Sequence, residues 1–259
     1  MKLRDRVVLI TGASEGIGAA CAQSFRIRGA RLALNGRSRE KLSQVAQPTD
    51  LVLPGDLTDA STPADVIDQT IAHFGRIDVL VNNAGSGMYG PAAEAPLATS
   101  RALFDLNFFA PLAAIHAAVP YMRAQGQGMI INVGSVAGEV TLPWMPIYSA
   151  SKSALGALSA SLRTELKPFN IHVLHVNPGY VRTGFQEHAI GTPPERVADG
   201  KKIAISPERC AEAIARGVET QAREVITPAW AHWLIRANRV FPAIVESRLR
   251  AMAGARSKL

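Results

Sequence analysis

The chain has 259 residues, 47% hydrophobic and only 19% charged, a composition that supplies a large core and excludes a disordered polypeptide. Its net charge of +7 raises a nucleic-acid partner, yet Ala229 to Leu259 carries six basic residues against Glu246 alone and so accounts for +5, leaving +2 for the rest. With no helix-turn-helix, zinc or aromatic RNA-binding signature, no nucleic-acid function is expected.

Cys21 and Cys210 lack CxxC spacing and the six histidines lack ligand spacing, so no metal is expected and both thiols read as ordinary buried ones in a reducing compartment. No uninterrupted apolar run reaches the roughly 18 to 20 residues of a membrane span. Met1-Lys2-Leu3-Arg4-Asp5 leads into a strand without a signal-peptide core, and a cytoplasmic location is the expectation.

The first strand, Val7 to Ile10, runs into Thr11-Gly12-Ala13-Ser14-Glu15-Gly16-Ile17-Gly18 and an apolar helix over Gly16 to Arg28. A glycine turn between strand and helix is a phosphate cradle: glycines permit the tight turn and the close backbone approach, and the helix N-terminus favours negative charge. The second strand, Arg31 to Asn35, ends at Gly36-Arg37-Ser38 before a helix over Arg39 to Ala46. At that edge a carboxylate would bind the ribose hydroxyls of NAD(H), and a base the 2′-phosphate of NADP(H). No carboxylate stands there, so Arg37 points to NADP(H), with NAD(H) still open; the other reading of Arg37 is a solvated residue at a helix start. The third strand, Leu51 to Leu53, leads to Gly55-Asp56-Leu57, where Asp56 either accepts from an adenine amino group or caps a turn.

Helices over Pro63 to Phe74, Ser100 to Met122, Tyr148 to Leu166 and Pro207 to Gln221 alternate with strands at Val79 to Asn82, Met129 to Val133, Ile171 to Val176 and Glu224 to Thr227. Continuous apolar strands between helices predict one α/β domain over 1–259, a Rossmann-type, doubly wound parallel sheet in a three-layer α/β/α arrangement, with ligands at the carboxyl ends of the strands. Two stretches break the rhythm. Residues 184–206, carrying Gly191-Thr192-Pro193-Pro194, read as a substrate lid. Residues 229–259 form a basic extension, helical from Trp230 with a break at Pro242.

Tyr148 and Lys152 lie four apart at the start of a long helix, on one face. A phenol titrates near 10, so acid/base work at neutral pH calls for a nearby cation, a role the spacing gives to Lys152. Alone, the spacing is weak evidence. Thirteen residues before Tyr148, Asn132-Val133-Gly134-Ser135 closes the fifth strand and brings a hydroxyl to the same edge, to bind a substrate oxygen or merely to cap a turn.

Together, Thr11-Gly12-x-x-x-Gly16-x-Gly18, Asn82-Asn83-Ala84-Gly85, Asn107, Ser135, Tyr148-x-x-x-Lys152 and Pro178-Gly179 resemble the short-chain dehydrogenase/reductase family in its form of about 250 residues, over essentially the whole chain. The resemblance implies a seven-stranded sheet in the order 3-2-1-4-5-6-7 and a catalytic set of Asn107, Ser135, Tyr148 and Lys152. It implies cofactor contacts along Gly12 to Gly18 (with Ser14, Glu15 and Ile17), at Asp56 and Leu57, along Asn83-Ala84-Gly85, at Tyr148 and Lys152, and at Pro178, Gly179, Val181 and Thr183. In that family the counterpart of Asn107 sits at a helix distortion and holds a water that links the lysine to solvent, which fits Pro111 just after it. Ser135 and Tyr148 would bind a ketone or aldehyde oxygen while Tyr148 exchanges its proton and Lys152 lowers the phenol pKa. Glu15 departs from NADP-preferring members, which often carry a basic residue there.

Met88, Leu142, Pro143, Trp144, Met145 and Tyr180 would face the substrate, and their apolar character favours a hydrophobic carbonyl/alcohol pair over a sugar; the alternative for Trp144 and Met145 is lid packing. Arg182, Arg196, Lys201 and Lys202 favour a competing 3-oxoacyl-thioester reductase, and a non-catalytic NADP-binding regulator is the rival of another class. The long helices from Ser100 and Tyr148 resemble those that build homodimers and homotetramers in the family. The extension reads as a covering element or subunit contact, or as a peripheral membrane contact through clustered arginines and tryptophans.

Overall fold

A strand with no polar side must be covered on both faces, and in this computed structural model, which describes residues 1–140, 142–193 and 203–253, helices do the covering. In chain order the elements are β1 (Val7–Ile10), α1 (Gly16–Ile27), β2 (Arg31–Gly36), α2 (Arg39–Val45), β3 (Leu51–Pro54), α3 (Thr62–Phe74) and β4 (Val79–Asn82). There follow α4 (Leu97–Phe104), α5 (Ala110–Ala124), β5 (Gly128–Val133), α6 (Pro146–Glu165), β6 (Ile171–Pro178), α7 (Pro207–Glu219), β7 (Glu224–Thr227), α8 (Ala231–Val240) and α9 (Pro242–Ala253). The strands form one sheet in the order β3-β2-β1-β4-β5-β6-β7, every pairing parallel, as the family resemblance implied.

Alternation along each strand divides the core. Val8, Ile10, Leu32, Leu34, Val79 and Val81 point to one side, under α1 and α7, where Cys21 and Cys210 are free and buried. Leu9, Leu80, Ile130 and Val173 point to the other, under α3, α5 and the end of α6. A third cluster lies beyond the carboxyl ends of the strands, joining Met88, Tyr89, Trp144, Met145 and Tyr148 to Ala231 and Ile235 of α8 and Val245 and Leu249 of α9. The extension is therefore a covering element built into the wall of the site.

At the opposite edge Asp78, fully buried, receives Arg6 at 2.9 Å, Arg76 at 2.7 and 2.9 Å and the Val7 N–H at 2.9 Å, fastening β1 to β4.

Two expectations change. The helix expected over Ser100 to Met122 begins at Leu97 and contains a π turn over Asp105–Phe109, where the Ala110 N–H reaches back five residues to the Asp105 carbonyl. Pro111 bends the ladder without ending it: it has no N–H to return to the Asn107 carbonyl, four residues earlier, and the π turn absorbs the defect. Leu97–Ala124 thus forms one helical run of 28 residues, with a window of mean hydropathy 1.5, long and apolar enough by length and composition to cross a membrane. Arg101 and Asp105 hid this from a search for uninterrupted apolar residues. Its inner face, Ala114, Ile115, Ala118 and Met122, is buried in the core. The break in the extension falls at Phe241, immediately before Pro242.

Candidate active site

The glycine turn is fastened to the end of β4. The Thr11 hydroxyl accepts from the backbone N–H groups of Asn83 and Ala84 at 3.0 and 3.1 Å, and the Asn83 side-chain amide donates to the carbonyls of Thr11 and Gly12 at 2.9 and 3.1 Å. Gly18 is obligatory, because a Cβ there would lie 2.2 Å from the Gly12 carbonyl oxygen. Thr183 lies against Gly16, 3.0 Å from where a Cβ of that glycine would be, and its hydroxyl caps the turn at Phe185. Gly179 donates to the Thr227 carbonyl at 2.7 Å, ending β6 next to β7, and Val181 bridges to Ile205.

On the adenosine side Ser14 packs beside Gly36, and exposed Arg37 follows. Asp56 makes the turn-capping contact: its Oδ1 accepts from the Thr58 N–H at 3.0 Å and hydroxyl at 2.8 Å. The Thr58 N–H leads in holding its carboxyl below the usual range against the opposing effect of burial, helped by the Thr58 hydroxyl and Arg37. Leu57 is buried next to it. Glu15, the departure noted above, is met by Lys41 at 3.5 Å and by the His188 ring at 3.1 Å. Lys41, absent from the sequence reading, thus stands at the cradle with Arg37 near Asp56, and the signal that could have found it is its place four residues beyond Arg37 on the first turn of α2.

At the nicotinamide side Asn107 is fully buried. It accepts from the Ser86 N–H and donates to the Ser86 carbonyl and the Ser151 hydroxyl, all at 3.0 Å, while Ser151 donates to the Tyr148 carbonyl at 2.7 Å. The π turn, the end of β4 and the first turns of α6 are thereby locked together. Farther along α6, Ser159 receives the Asn132 amide at 2.9 Å and meets the His175 ring at 3.2 Å, and Asn132 accepts from Asn82 at 2.8 Å. Burial pushes His175 down to about 4, so this chain is built on a neutral imidazole.

Lys152 donates to the Val133 carbonyl at 2.9 Å and lies 3.3 Å from where a Cβ on Gly85 would stand, so a side chain there would crowd the ammonium and Asn107. Its nitrogen is 5.9 Å from the centre of the Tyr148 ring. Burial raises the Tyr148 phenol to about 12, opposed only by a hydrogen bond from Ser135, and burial lowers Lys152 to about 8. The two share a helix face, with one donor of the ammonium on the Val133 carbonyl. Ser135 also accepts from the Ala137 N–H at 3.1 Å, so its capping and substrate-facing readings hold together.

The chamber over Tyr148 is apolar. Trp144 and Met145 are buried against it, and the Phe185 ring stands 5.6 Å from the Tyr148 ring. Tyr89 and Tyr180 are hydrogen-bonded to each other, and burial raises both phenols. The lid is anchored by Ile190, which exchanges backbone hydrogen bonds with Gly87 and Tyr89 at 2.9 and 2.7 Å. Phe185 belongs to the expected lid, whereas Tyr89 was not singled out by sequence reasoning and joins the cluster around Tyr148 through packing. The Trp144 indole N–H is buried with no acceptor among the described residues. Of the cations invoked for an acyl thioester, Arg182 turns to the Ala204 carbonyl at 2.9 Å, while Arg196, Lys201 and Lys202, with the rest of 194–202, lie outside the described residues.

Residues 6–192 match the family model described as short chain dehydrogenase. A dehydrogenase/reductase SDR family member 7B from Xenopus tropicalis is 32% identical over 99% of this chain and 88% of that protein. An 11-beta-hydroxysteroid dehydrogenase 1A from Arabidopsis thaliana is 36% identical over 88% and 70%. A short chain dehydrogenase from Burkholderia cenocepacia, solved in complex with NADP, superposes with a TM-score of 0.82 at 29% identity over 96% of this chain and 99% of that one.

Proposed function

We propose that this chain, which belongs to the short-chain dehydrogenase/reductase family and is an NAD(P)-dependent oxidoreductase of CH–OH and carbonyl groups, interconverts a hydrophobic ketone or aldehyde and its alcohol with NADP(H). The observation that carries the reading is the juxtaposition of half-buried Ser135 with buried Tyr148, whose phenol Ser135 draws down against burial, set between the glycine cradle and a chamber lined by Met88, Tyr89, Trp144, Met145 and Phe185.

The residues present fit a dinucleotide. Gly18 admits no Cβ against the Gly12 carbonyl and the Asn83 amide, so α1 packs close on the turn and its N-terminus is set for a pyrophosphate, and Gly85 leaves open the space beside the Lys152 nitrogen. When bound, the cofactor supplies or accepts the hydride. Ser135 and Tyr148 hydrogen-bond the substrate oxygen, Tyr148 gives its proton to that oxygen in reduction and takes it back in oxidation, and Lys152 binds the nicotinamide ribose. Asn107 holds the Gly85-Ser86 turn and α6 at a fixed distance. Pro111 has no N–H to give the Asn107 carbonyl, and in the proposed mechanism that carbonyl would accept a water leading to Lys152. Arg37 takes the 2′-phosphate, with Lys41 offsetting Glu15. Apolar walls favour a substrate with few hydroxyls, and the hydroxysteroid dehydrogenase names among the relatives agree with that class.

The test follows absorbance at 340 nm with NADPH and NADH against apolar ketones, aldehydes and 3-oxoacyl thioesters. NADPH and an apolar ketone or aldehyde are expected to lead, and Arg37→Ala to raise the KM for NADPH about 10- to 100-fold while sparing NADH, the cost of a lost charge-assisted contact. Equal use of both cofactors by the parent chain would overturn the preference, and a thioester with the highest turnover would overturn the substrate class.

A further inference from the structure

A surface helix needs one apolar face, and α8 has two. It packs inward through Ala231 and Ile235, just as α9 does through Val245 and Leu249. At about 100° per residue Trp233 and Val240 fall on the opposite side of α8, and they are 70% and 66% exposed. Trp230, Phe241 and Ile244 are exposed as well, so five large apolar side chains stand in solvent within the one segment from Trp230 to Ile244.

Cations surround them. Arg236 lies over the Trp233 ring at 5.5 Å, Arg239 reaches Glu139 at 2.8 Å, and Arg248 and Arg250 are exposed on α9, where Glu246 is the sole acid. A cavity of about 260 Å³ between β7 and α8 is lined by His232, Arg236 and Arg239 together with Glu224, Ile226 and Ile235. Charge decides the occupant. A second copy of the same face would set arginines against arginines, and an uncharged apolar partner would desolvate them without return. An anionic phospholipid surface meets both needs, with tryptophan and phenylalanine at headgroup depth and guanidinium groups on phosphate.

We infer that α8 and α9 dock the protein peripherally on an anionic phospholipid bilayer. The same helices wall the chamber over Tyr148 with their inner faces, so docking sets that chamber beside the phase in which an apolar carbonyl compound dissolves; this last step rests on the function proposed above.

The full chain is sedimented with vesicles of phosphatidylcholine containing one third phosphatidylglycerol, and with vesicles of phosphatidylcholine alone, at low and high salt. Binding is expected to the anionic vesicles, with release by salt and a blue shift of tryptophan emission. Trp233→Asp with Val240→Asp is expected to cut partitioning more than tenfold, and Arg248→Gln about five-fold, the share of one arginine near an anionic surface. Circular dichroism confirms that each variant is folded, and Arg248→Gln removes no packed apolar group. Absence of binding at low salt, or equal binding to neutral vesicles, overturns the inference. So does a dimer in sedimentation equilibrium that Trp233→Asp dissociates while vesicle binding is absent, which would make the face a contact between copies. The vesicle assay uses no substrate, so its failure leaves the carbonyl reading standing, and a failure to turn over ketones leaves the docking result untouched.

Discussion

Between about pH 6 and 9 a phenol titrating near 12 is almost wholly protonated, so in the proposed mechanism Tyr148 meets a carbonyl oxygen as an acid ready to give its proton. Carbonyl reduction should then be insensitive to Tyr148 titration across that range, while alcohol oxidation, which needs the phenolate, should accelerate as pH rises. Initial rates in both directions check the pair, and a reduction rate that collapses above neutrality in step with phenol titration would place the pKa much lower. Tyr148→Phe deletes one oxygen and keeps the ring that packs on Phe185. Turnover is expected to fall about a thousandfold with NADPH affinity, read by fluorescence titration, unchanged. Retention of most activity would move the acid to another group, and Ser135 is the neighbour to examine next.

The elements that carry these residues were legible to different degrees, and the reasons are physical. Strands such as Val7–Ile10 declared themselves because a buried parallel strand has no polar residue to blur it, and the glycine turn did so because Gly18 admits no Cβ. Ser135, Tyr148 and Lys152 were legible as a spaced set. What Lys152 does with its charge was not, since the i,i+4 spacing fixes the face of the helix and not the acceptor at Val133 that captures the nitrogen. Tyr89 reaches the site through contacts between segments far apart in sequence, which periodicity cannot register, whereas Phe185 was legible only as part of the lid and Lys41 only by its place one turn beyond Arg37. Asn107 sits between these cases: Pro111 announced a defect in the helix, but only the structure shows the side chain spending its amide on Ser86 and Ser151. Asn107→Ala would leave those buried groups unpaired at about 1 to 3 kcal/mol for each. We expect about 3 kcal/mol of lost stability by denaturant unfolding. Because the π turn and α6 would lose their shared clamp, we also expect more than tenfold loss of turnover at a temperature where the variant is folded. A variant equally active and equally stable would show that the clamp is redundant.

The sheet as a whole is held from its two edges by different chemistry: the carboxyl edge by hydrogen bonds that shape the site, the amino edge by Asp78. Burial opposes ionisation of this carboxyl, but hydrogen bonds from Arg76, the Val7 N–H and Arg6 outweigh it and hold its pKa below the ordinary carboxylate value. A group depressed in the folded state lends stability that is complete above its unfolded pKa, near 4, and is lost as pH falls through the lower folded value. Asp78→Asn should therefore cost about 3 kcal/mol at neutral pH, the penalty for breaking one side of a buried ion pair, and lower the Tm by roughly 6 to 12 °C for a domain of this size. The parent chain surrenders the same contribution in acid, so the gap in Tm between parent and variant should narrow steadily as pH falls below about 4. A gap that stayed constant down to pH 2 would mean that the loss came from the hydrogen-bond geometry at the β1–β4 junction and not from the charge.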